Sequence, residues 1–120
     1  MSRILHYPAV RQINSREWEL LEPLEYHVGS PDSNDVILVP KGFPTDFASV
    51  PKIFWNIFPP YGRWSPAAVI HDFIYTYAVY PRKKCDLIFL EAMGVMEVNW
   101  ITRHTMYRAV RLFGGFSYGR

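Results

Sequence analysis

The period of apolar and polar residues changes about halfway along the chain. In the first part, Trp18 and Leu20, and later Tyr26, alternate with polar neighbours, which is typical of strands with one buried face. The stretch "HVGSPDSND" is rich in turn-forming residues, and the apolar run "DVILVP" after it is typical of a buried strand. This pattern predicts a small antiparallel β region over residues 8–46.

The second part has the longer period of helices. Ser65 is a favourable N-cap, and Pro66 falls at the first helical position, where its missing N–H has no cost. The first helix is expected to begin there and to run to about Tyr80, because Pro81 discourages continuation. A second helix is predicted from near Arg82 through "KKCDLIFLEAMGVMEV".

A third helix is predicted to begin at Asn99 or Thr102. Its side chains at helical spacing form one stripe, which consists of Ile101, Thr105, Arg108 and Leu112. The final stretch, "GGFSYGR", is expected to end helical order and form a tail over residues 114–120.

A segment rich in proline and aromatic residues, over residues 47–64, connects the two parts. Long ordered connections carry sites or cover a core. The chain is therefore predicted to be one α+β domain, residues 1–120, in which about three helices packed over residues 65–113 follow the β-rich region.

Composition narrows the classes of protein. With 120 residues, of which 49% are hydrophobic, the chain is large enough to bury one core. Thirteen Lys and Arg against eleven Asp and Glu give a net charge of +2, too even a balance to require a polyanion, so nucleic-acid binding is not expected. No apolar run approaches the roughly 20 residues of a transmembrane helix, and the protein is expected to be soluble.

The polar residues best suited to chemistry lie in "AAVIHDFIY", inside the first predicted helix. His71 and Tyr75 are four residues apart and share a face, and Asp72 lies about 100° round the helix. In a functional interpretation, His71 is a general base and Asp72 is a ligand for calcium or another divalent metal. In a structural interpretation, both are buried and hydrogen-bond the connection to the helix.

A general base of this kind needs a second carboxylate to orient its imidazole. Asp86 and Glu91 on the second helix are the candidates. If a tight hairpin is centred on Pro81, Glu91 lies at about the same distance from the turn as His71 does. An earlier turn instead brings Asp86 within about one helical turn of His71. The spacing does not choose between them, and each carboxylate also suits a purely structural role.

Two further sets of residues have alternative interpretations. Asp46, in "GFPTDFASVP", suits either a second acidic metal ligand or a side chain that ties down its own loop. A basic set suits either a phosphate-bearing partner or an ordinary solubilising surface, and it consists of Lys83, Lys84, Arg103, Arg108 and Arg111.

The succession "VPKGFPTDFASVPKIFWNIFPPYGRWSPAAVIHDFIY", followed by "CDLIFLEAMGV" and "MYRAVRLFG", resembles a family of small proteins encoded by bacteriophages and prophages and known only as a domain of unknown function. The resemblance covers about Val39 to Gly114. It implies a protein of the infected host cytoplasm or of the virion, with other virion proteins as partners, but it implies no activity.

A local resemblance concerns "HDFIY", which is similar to the His-Asp-x-x-Tyr signature on the catalytic helix of secreted and bacterial phospholipases A2. This resemblance implies that His71 is the base, Asp72 the calcium ligand and Tyr75 a phenol that supports a distal aspartate, matched by Asp86. The cysteines that bracket the catalytic helix of that family are absent, and "PPYGRWSP" stands where its glycine-rich calcium loop would be.

Two functions therefore compete. The first is a metal-assisted hydrolase acting on an ester, a phosphoester or a cell-envelope bond. Its substrate is a lipid or another component of the cell envelope. Its proposed catalytic residues are His71, Tyr75, Asp86 and Glu91, and its proposed metal ligands are Asp72 and Asp46. The second is a non-catalytic structural or assembly component of the virion head, neck or tail, in which the same side chains lock loop to helix.

Overall fold

A computed structural model describes residues 9–14, 17–45, 65–116 and 118–119. Within these ranges the strands are β1 Val10–Gln12, β2 Trp18–Leu20, β3 Leu24–His27, β4 Val36–Val39 and β5 Pro44–Thr45. The helices are α1 Ser65–Thr76, α2 Arg82–Val95 and α3 Trp100–Phe113, followed by a 3-10 turn at Gly114–Phe116. The predicted α+β fold is confirmed. The predicted connection over residues 47–64 lies outside the described residues, and so does Asp46.

The described strands form two small antiparallel sheets, one in the order β1-β2-β5 and the other a β3-β4 pair. The β3-β4 pair keeps the period of two that the sequence predicts, because Leu24 and Tyr26 are buried while Glu25 between them is exposed. On β4, Ile37 and Val39 are buried in the same way. The buried face of this pair lies against α1.

Helix α1 is the centre of the described fold. It contacts β3, β4 and β5 and also packs on α2. Four consecutive residues, Ala67 to Ile70, are fully buried, and the two alanines among them let neighbouring backbones approach closely. A polar side chain on the buried face of this helix, such as that of His71, is therefore forced into the interior.

Helix α1 ends at Thr76, four residues before the expected end at Tyr80. The amide of Ala78 donates to the carbonyl of Tyr75 at 3.2 Å, and the amide of Val79 donates to the carbonyl of Ile74 at 3.0 Å. These two bonds form a Schellman motif, with Ala78 in the left-handed conformation at φ 48°. The early end has no glycine to signal it, so the sequence indicates Pro81 as the stop.

Helix α2 ends with the same motif. Glu97 has φ 61°, and the amide of Val98 donates to the carbonyl of Met93 at 3.0 Å. Helix α3 then begins at the predicted cap, where the Asn99 side chain accepts a hydrogen bond from the amide of Thr102 at 2.8 Å.

Helix α3 packs on α2 through Met106 and Val110, its two buried residues. The predicted stripe of Ile101, Thr105, Arg108 and Leu112 lies on the opposite, exposed side of the helix. No helix in the described part of the chain is long and apolar enough to cross a membrane.

The described residues after α3 pack against the end of α1 and do not extend away as a tail. The Tyr118 hydroxyl donates to the carbonyl of Tyr80 at 2.6 Å, and the amide of Gly119 donates to the carbonyl of Tyr75 at 2.7 Å. The thiol of Cys85 is close by, fully buried and 3.4 Å from the same Tyr80 carbonyl. Burial raises the pKa of this thiol to about 11.

Candidate functional site

The imidazole of His71 meets a carboxylate of the next helix. His71 Nε2 lies 2.8 Å from Asp86 Oδ1, which joins the middle of α1 to the second turn of α2. The two residues are 1% and 0% exposed, respectively. Of the two carboxylates that the sequence left open, Asp86 is therefore the partner of His71.

A third helix contributes the counter-charge. Arg111, in the last turn of α3, donates from Nη1 to the second carboxylate oxygen of Asp86 at 2.8 Å. Each oxygen of Asp86 thus has its own nitrogen partner, from a different helix. The carboxylate connects α1, α2 and α3 at one point.

These contacts fix the charge of Asp86. Burial by itself would raise the pKa of Asp86, but the hydrogen bonds from His71 and Arg111 outweigh burial and hold that pKa below its ordinary value. An ionised carboxylate only accepts hydrogen bonds, so Nε2 of His71 must carry the shared proton. In the neutral imidazole, the basic lone pair is then on Nδ1.

Two aromatic rings hold the imidazole. The ring centroids of Tyr75 and Phe89 lie 4.1 Å and 4.7 Å from that of His71. The Tyr75 hydroxyl also accepts a hydrogen bond from Nε of Arg82 at 3.0 Å. Burial and the neighbouring Asp86 carboxylate raise the pKa of Tyr75, so its phenol stays protonated at neutral pH.

Asp72 faces a different part of the molecule. Its Oδ2 accepts a hydrogen bond from the Thr45 hydroxyl at 2.7 Å, so this aspartate links α1 to the last described strand. Asp72 is half-buried, whereas the next residue towards the N-terminus, His71, is sealed in the core. The adjacent His and Asp therefore have separate surroundings and separate partners.

Glu91 bonds to the β region. Its carboxylate accepts hydrogen bonds from the Tyr26 hydroxyl and, at 3.2 Å, from the amide of Gly29. It therefore connects α2 to the β3-β4 pair. Its position is about five residues further from the start of α2 than that of Asp86, or about 7 Å along the helix.

The described residues do not fit a complete metal site. Among residues 9–14, 17–45, 65–116 and 118–119, no group of three or more His, Cys, Asp or Glu side chains is placed to hold a metal ion. Calcium takes 6–8 oxygen ligands, and of the two predicted ligands only Asp72 is described. Calcium or another divalent metal at Asp72 stays a prediction.

Sequence reasoning missed the roles of three residues at this site. The sequence places Arg111 in a basic set with two alternative roles, indicates only a helix start near Arg82, and indicates no role for Thr45. Nothing in the spacing of residues 25 positions apart reveals the contact between Arg111 and Asp86. The position of Arg111 directly after the core residue Val110 is a weak indication of this contact, because such an arginine stands at the edge of the buried face of its helix.

Fold and site together define a small α+β protein in which a buried His-Asp-Arg network joins three helices. The chain belongs to the family described as "Protein of unknown function (DUF1353)", whose profile matches residues 18–110. No curated protein and no solved structure matches the chain. The matched range begins at β2 and ends in the last turn of α3, so it includes His71, Tyr75 and Asp86.

Proposed function

We propose that this protein is a phage-encoded hydrolase in which His71 is the general base and Asp86 orients it. The observation that carries the proposal is the 2.8 Å contact between His71 Nε2 and Asp86 Oδ1. An ionised partner on Nε2 holds the neutral imidazole in the tautomer with its lone pair on Nδ1, and it stabilises the imidazolium that forms when Nδ1 takes a proton from water.

Tyr75 and Asp72 have supporting roles in this proposal. The ring of Tyr75 packs on the imidazole and, with Phe89, restricts its rotation. Asp72 lies on the more exposed side of the same helix, where a carboxylate can interact with a bound substrate or cation. The resemblance of "HDFIY" to the phospholipase A2 signature favours an ester or a phosphoester as the substrate, and cell-envelope bonds are the broader class.

Burial limits how such a base can work. With His71 1% exposed, water and substrate reach Nδ1 only when the surrounding structure opens. Catalysis in this proposal therefore includes an opening step before proton transfer.

The test uses a substitution that separates catalysis from structure. In His71→Gln, the amide nitrogen of Gln lies close to the position of Nε2 and still donates to Asp86, but the amide cannot accept a proton as a base. Turnover of phospholipid esters and of a peptidoglycan panel, with and without calcium, is compared for the wild type, His71→Gln and His71→Ala. The matched control is His27→Ala, whose imidazole contacts the carbonyl of Ser33 in the β region.

A hydrolase loses at least about 100-fold in kcat in His71→Gln, while thermal unfolding stays close to that of the wild type and His27→Ala keeps its activity. Equal turnover by the wild type and His71→Gln removes His71 from the mechanism. Absence of turnover by the wild type on every substrate, with and without calcium, overturns the hydrolase.

A non-catalytic virion or assembly component is the second candidate. The observation that favours it is that both oxygens of the fully buried Asp86 are bonded, to His71 and to Arg111, as in a clamp between helices. Under this proposal, His71→Gln retains function in phage assembly, and mass spectrometry of purified virions finds the protein. Assembly that fails with a folded His71→Gln protein counts against the clamp as the role of His71.

A further inference from the structure

Helix α3 presents large apolar side chains to solvent. We define its outer face as the residues that point away from the buried Met106 and Val110, namely Trp100, Ile101, His104, Thr105, Arg108 and Leu112. Trp100, Ile101 and Leu112 are 61%, 73% and 76% exposed. Among the described elements, α3 contacts α2 and the 3-10 turn, and these contacts leave the three apolar side chains exposed. An exposed apolar surface of this kind marks a site of interaction.

The charge of α3 selects the class of partner. The helix contains Arg103, Arg108 and Arg111 and no Asp or Glu. Arg108 is exposed at the centre of the outer face, and Arg111, one third exposed, stands at its edge. Asp86 balances the charge of Arg111, but if two copies of the chain paired through this face, Arg108 of one copy would lie near Arg108 of the other and α3 supplies no carboxylate between them, which disfavours self-association. The complementary partner is therefore anionic.

The apolar residues distinguish lipid from other anionic partners. Ile101 and Leu112 are aliphatic, and their burial needs an apolar environment that a nucleic-acid backbone does not supply. Trp100 stacks on His104 with ring centroids 4.1 Å apart, and tryptophan favours the boundary between headgroups and acyl chains. A helix with aliphatic and aromatic residues beside arginines, and without acids, is typical of a helix that lies in a membrane interface.

We propose that the outer face of α3 docks onto an anionic lipid surface, with the helix parallel to the membrane. Ile101 and Leu112 insert at the level of the upper acyl chains, and Arg108 between them contacts lipid phosphates. The proposal rests on residues other than His71 and Asp86, so it holds or fails independently of the hydrolase.

The experiment is co-sedimentation of the whole protein with vesicles of ether-linked lipids, which a carboxylic-ester hydrolase cannot cleave. One set of vesicles is phosphatidylcholine alone, and the other contains phosphatidylglycerol as well. The wild type is expected to bind the anionic vesicles more tightly than the neutral ones and to lose this preference at high salt. The double variant Ile101→Asp with Leu112→Asp is expected to bind at least about tenfold more weakly. Arg108→Gln is expected to bind about fivefold more weakly.

Leu87→Asp is the matched control, because this leucine is 45% exposed on α2 and outside the outer face. It is expected to bind like the wild type. Equal binding by the wild type and the double variant overturns the proposal, and so does a wild type that binds no vesicle. If light scattering shows that the wild type is a dimer and the double variant is a monomer, the outer face is assigned to a second copy of the chain instead. Tighter binding to an oligonucleotide than to vesicles also overturns the proposal.

Discussion

The guanidinium of Arg82 donates a hydrogen bond to the backbone carbonyl of Arg111 at 2.6 Å, and the side chain of Arg111 in turn reaches Asp86. Arg82 also donates to the carbonyl of Val110 at 2.9 Å. The first residue of α2 thus binds two carbonyls of the last turn of α3, of which that of Val110 also accepts a hydrogen bond from the amide of Gly114. Each helix therefore donates a side-chain hydrogen bond to the other. Arg82 of α2 binds the end of α3, and Arg111 of α3 binds Asp86 of α2, which is the partner of His71.

Arg82→Ala is expected to lower the free energy of unfolding by about 2 kcal/mol, because it removes the bonds to two carbonyls and to the Tyr75 hydroxyl. Urea unfolding measures the change. Lys83→Ala, at the next and exposed position, is the matched control and is expected to change stability by less than about 0.5 kcal/mol. Similar losses in both variants would contradict a capping role for Arg82.

Asp86→Asn is expected to destabilise the fold at neutral pH by about 2 to 3 kcal/mol, because Arg111 loses its counter-charge and His71 loses an ionised acceptor. Arg111 is one third exposed, so solvent offsets part of the loss. Arg111→Gln is expected to lose less, while Arg108→Gln, on the exposed side of the same helix, is expected to be close to the wild type in urea unfolding. A stable Asp86→Asn protein would show that the network adds nothing to stability.

The contribution of Asp86 is also expected to depend on pH. Its folded-state pKa is below the ordinary value, so the stabilisation is fully present above about pH 4 and is lost as the pH falls through the folded pKa. The difference in unfolding free energy between the wild type and Asp86→Asn is therefore expected to shrink from neutral pH to about pH 3. Comparing the two proteins cancels the titration of the other carboxylates. A difference that is constant over this range would mean that Asp86 is not ionised in the folded protein.

Gly114→Ala is expected to destabilise the protein by about 1 to 3 kcal/mol through steric conflict. A Cβ at Gly114 would lie 3.0 Å from the Tyr75 hydroxyl oxygen, whereas the nearest atom to a Cβ at Gly115 is 3.8 Å away, in the flexible Arg82 side chain. The φ of Gly114 is −78°, so backbone strain does not contribute. Gly115→Ala is the control, and thermal unfolding that does not distinguish the two variants would rule out the close approach to Tyr75.

Ala78→Gly is expected to stabilise the protein by up to about 1 kcal/mol, because glycine adopts the left-handed conformation of this helix end without the steric cost of a Cβ. Ala109→Gly makes the same change inside α3 and is the control. It is expected to destabilise the protein by about 1 kcal/mol. Thermal unfolding measures both. A loss of stability in Ala78→Gly would indicate that the entropy of the unfolded chain outweighs the strain.

The starts of the helices and the α+β order could be predicted from local chemistry, whereas the identity of the partner of His71 could not. Ser65 and Asn99 are caps that act within a few residues. The choice between Asp86 and Glu91 depended on where α1 ends, and that end has alanine in place of the usual glycine. With α1 ending at Thr76 and α2 beginning at Arg82, His71 and Asp86 lie five and four residues from the turn, about 7 Å and 6 Å along their helices.

The stripe on α3 shows a second limit of sequence reasoning. Spacing identified Ile101, Thr105, Arg108 and Leu112 as one face, but spacing does not say which face packs inward. Met106 and Val110 form the inner face because α2 lies on that side. The contact between Arg111 and Asp86 likewise depends on the packing of α3 against α2, which no local pattern contains.

The single cysteine of the chain provides a natural probe of motion in this region. Cys85 precedes Asp86 and is fully buried, with a thiol pKa of about 11, so the closed protein offers a reagent neither access nor an appreciable thiolate fraction at neutral pH. Alkylation of the native protein therefore requires the packing of α1 against α2 to open. The rate of that alkylation, followed by mass spectrometry without any engineered label, reports how often the surroundings of His71 become accessible.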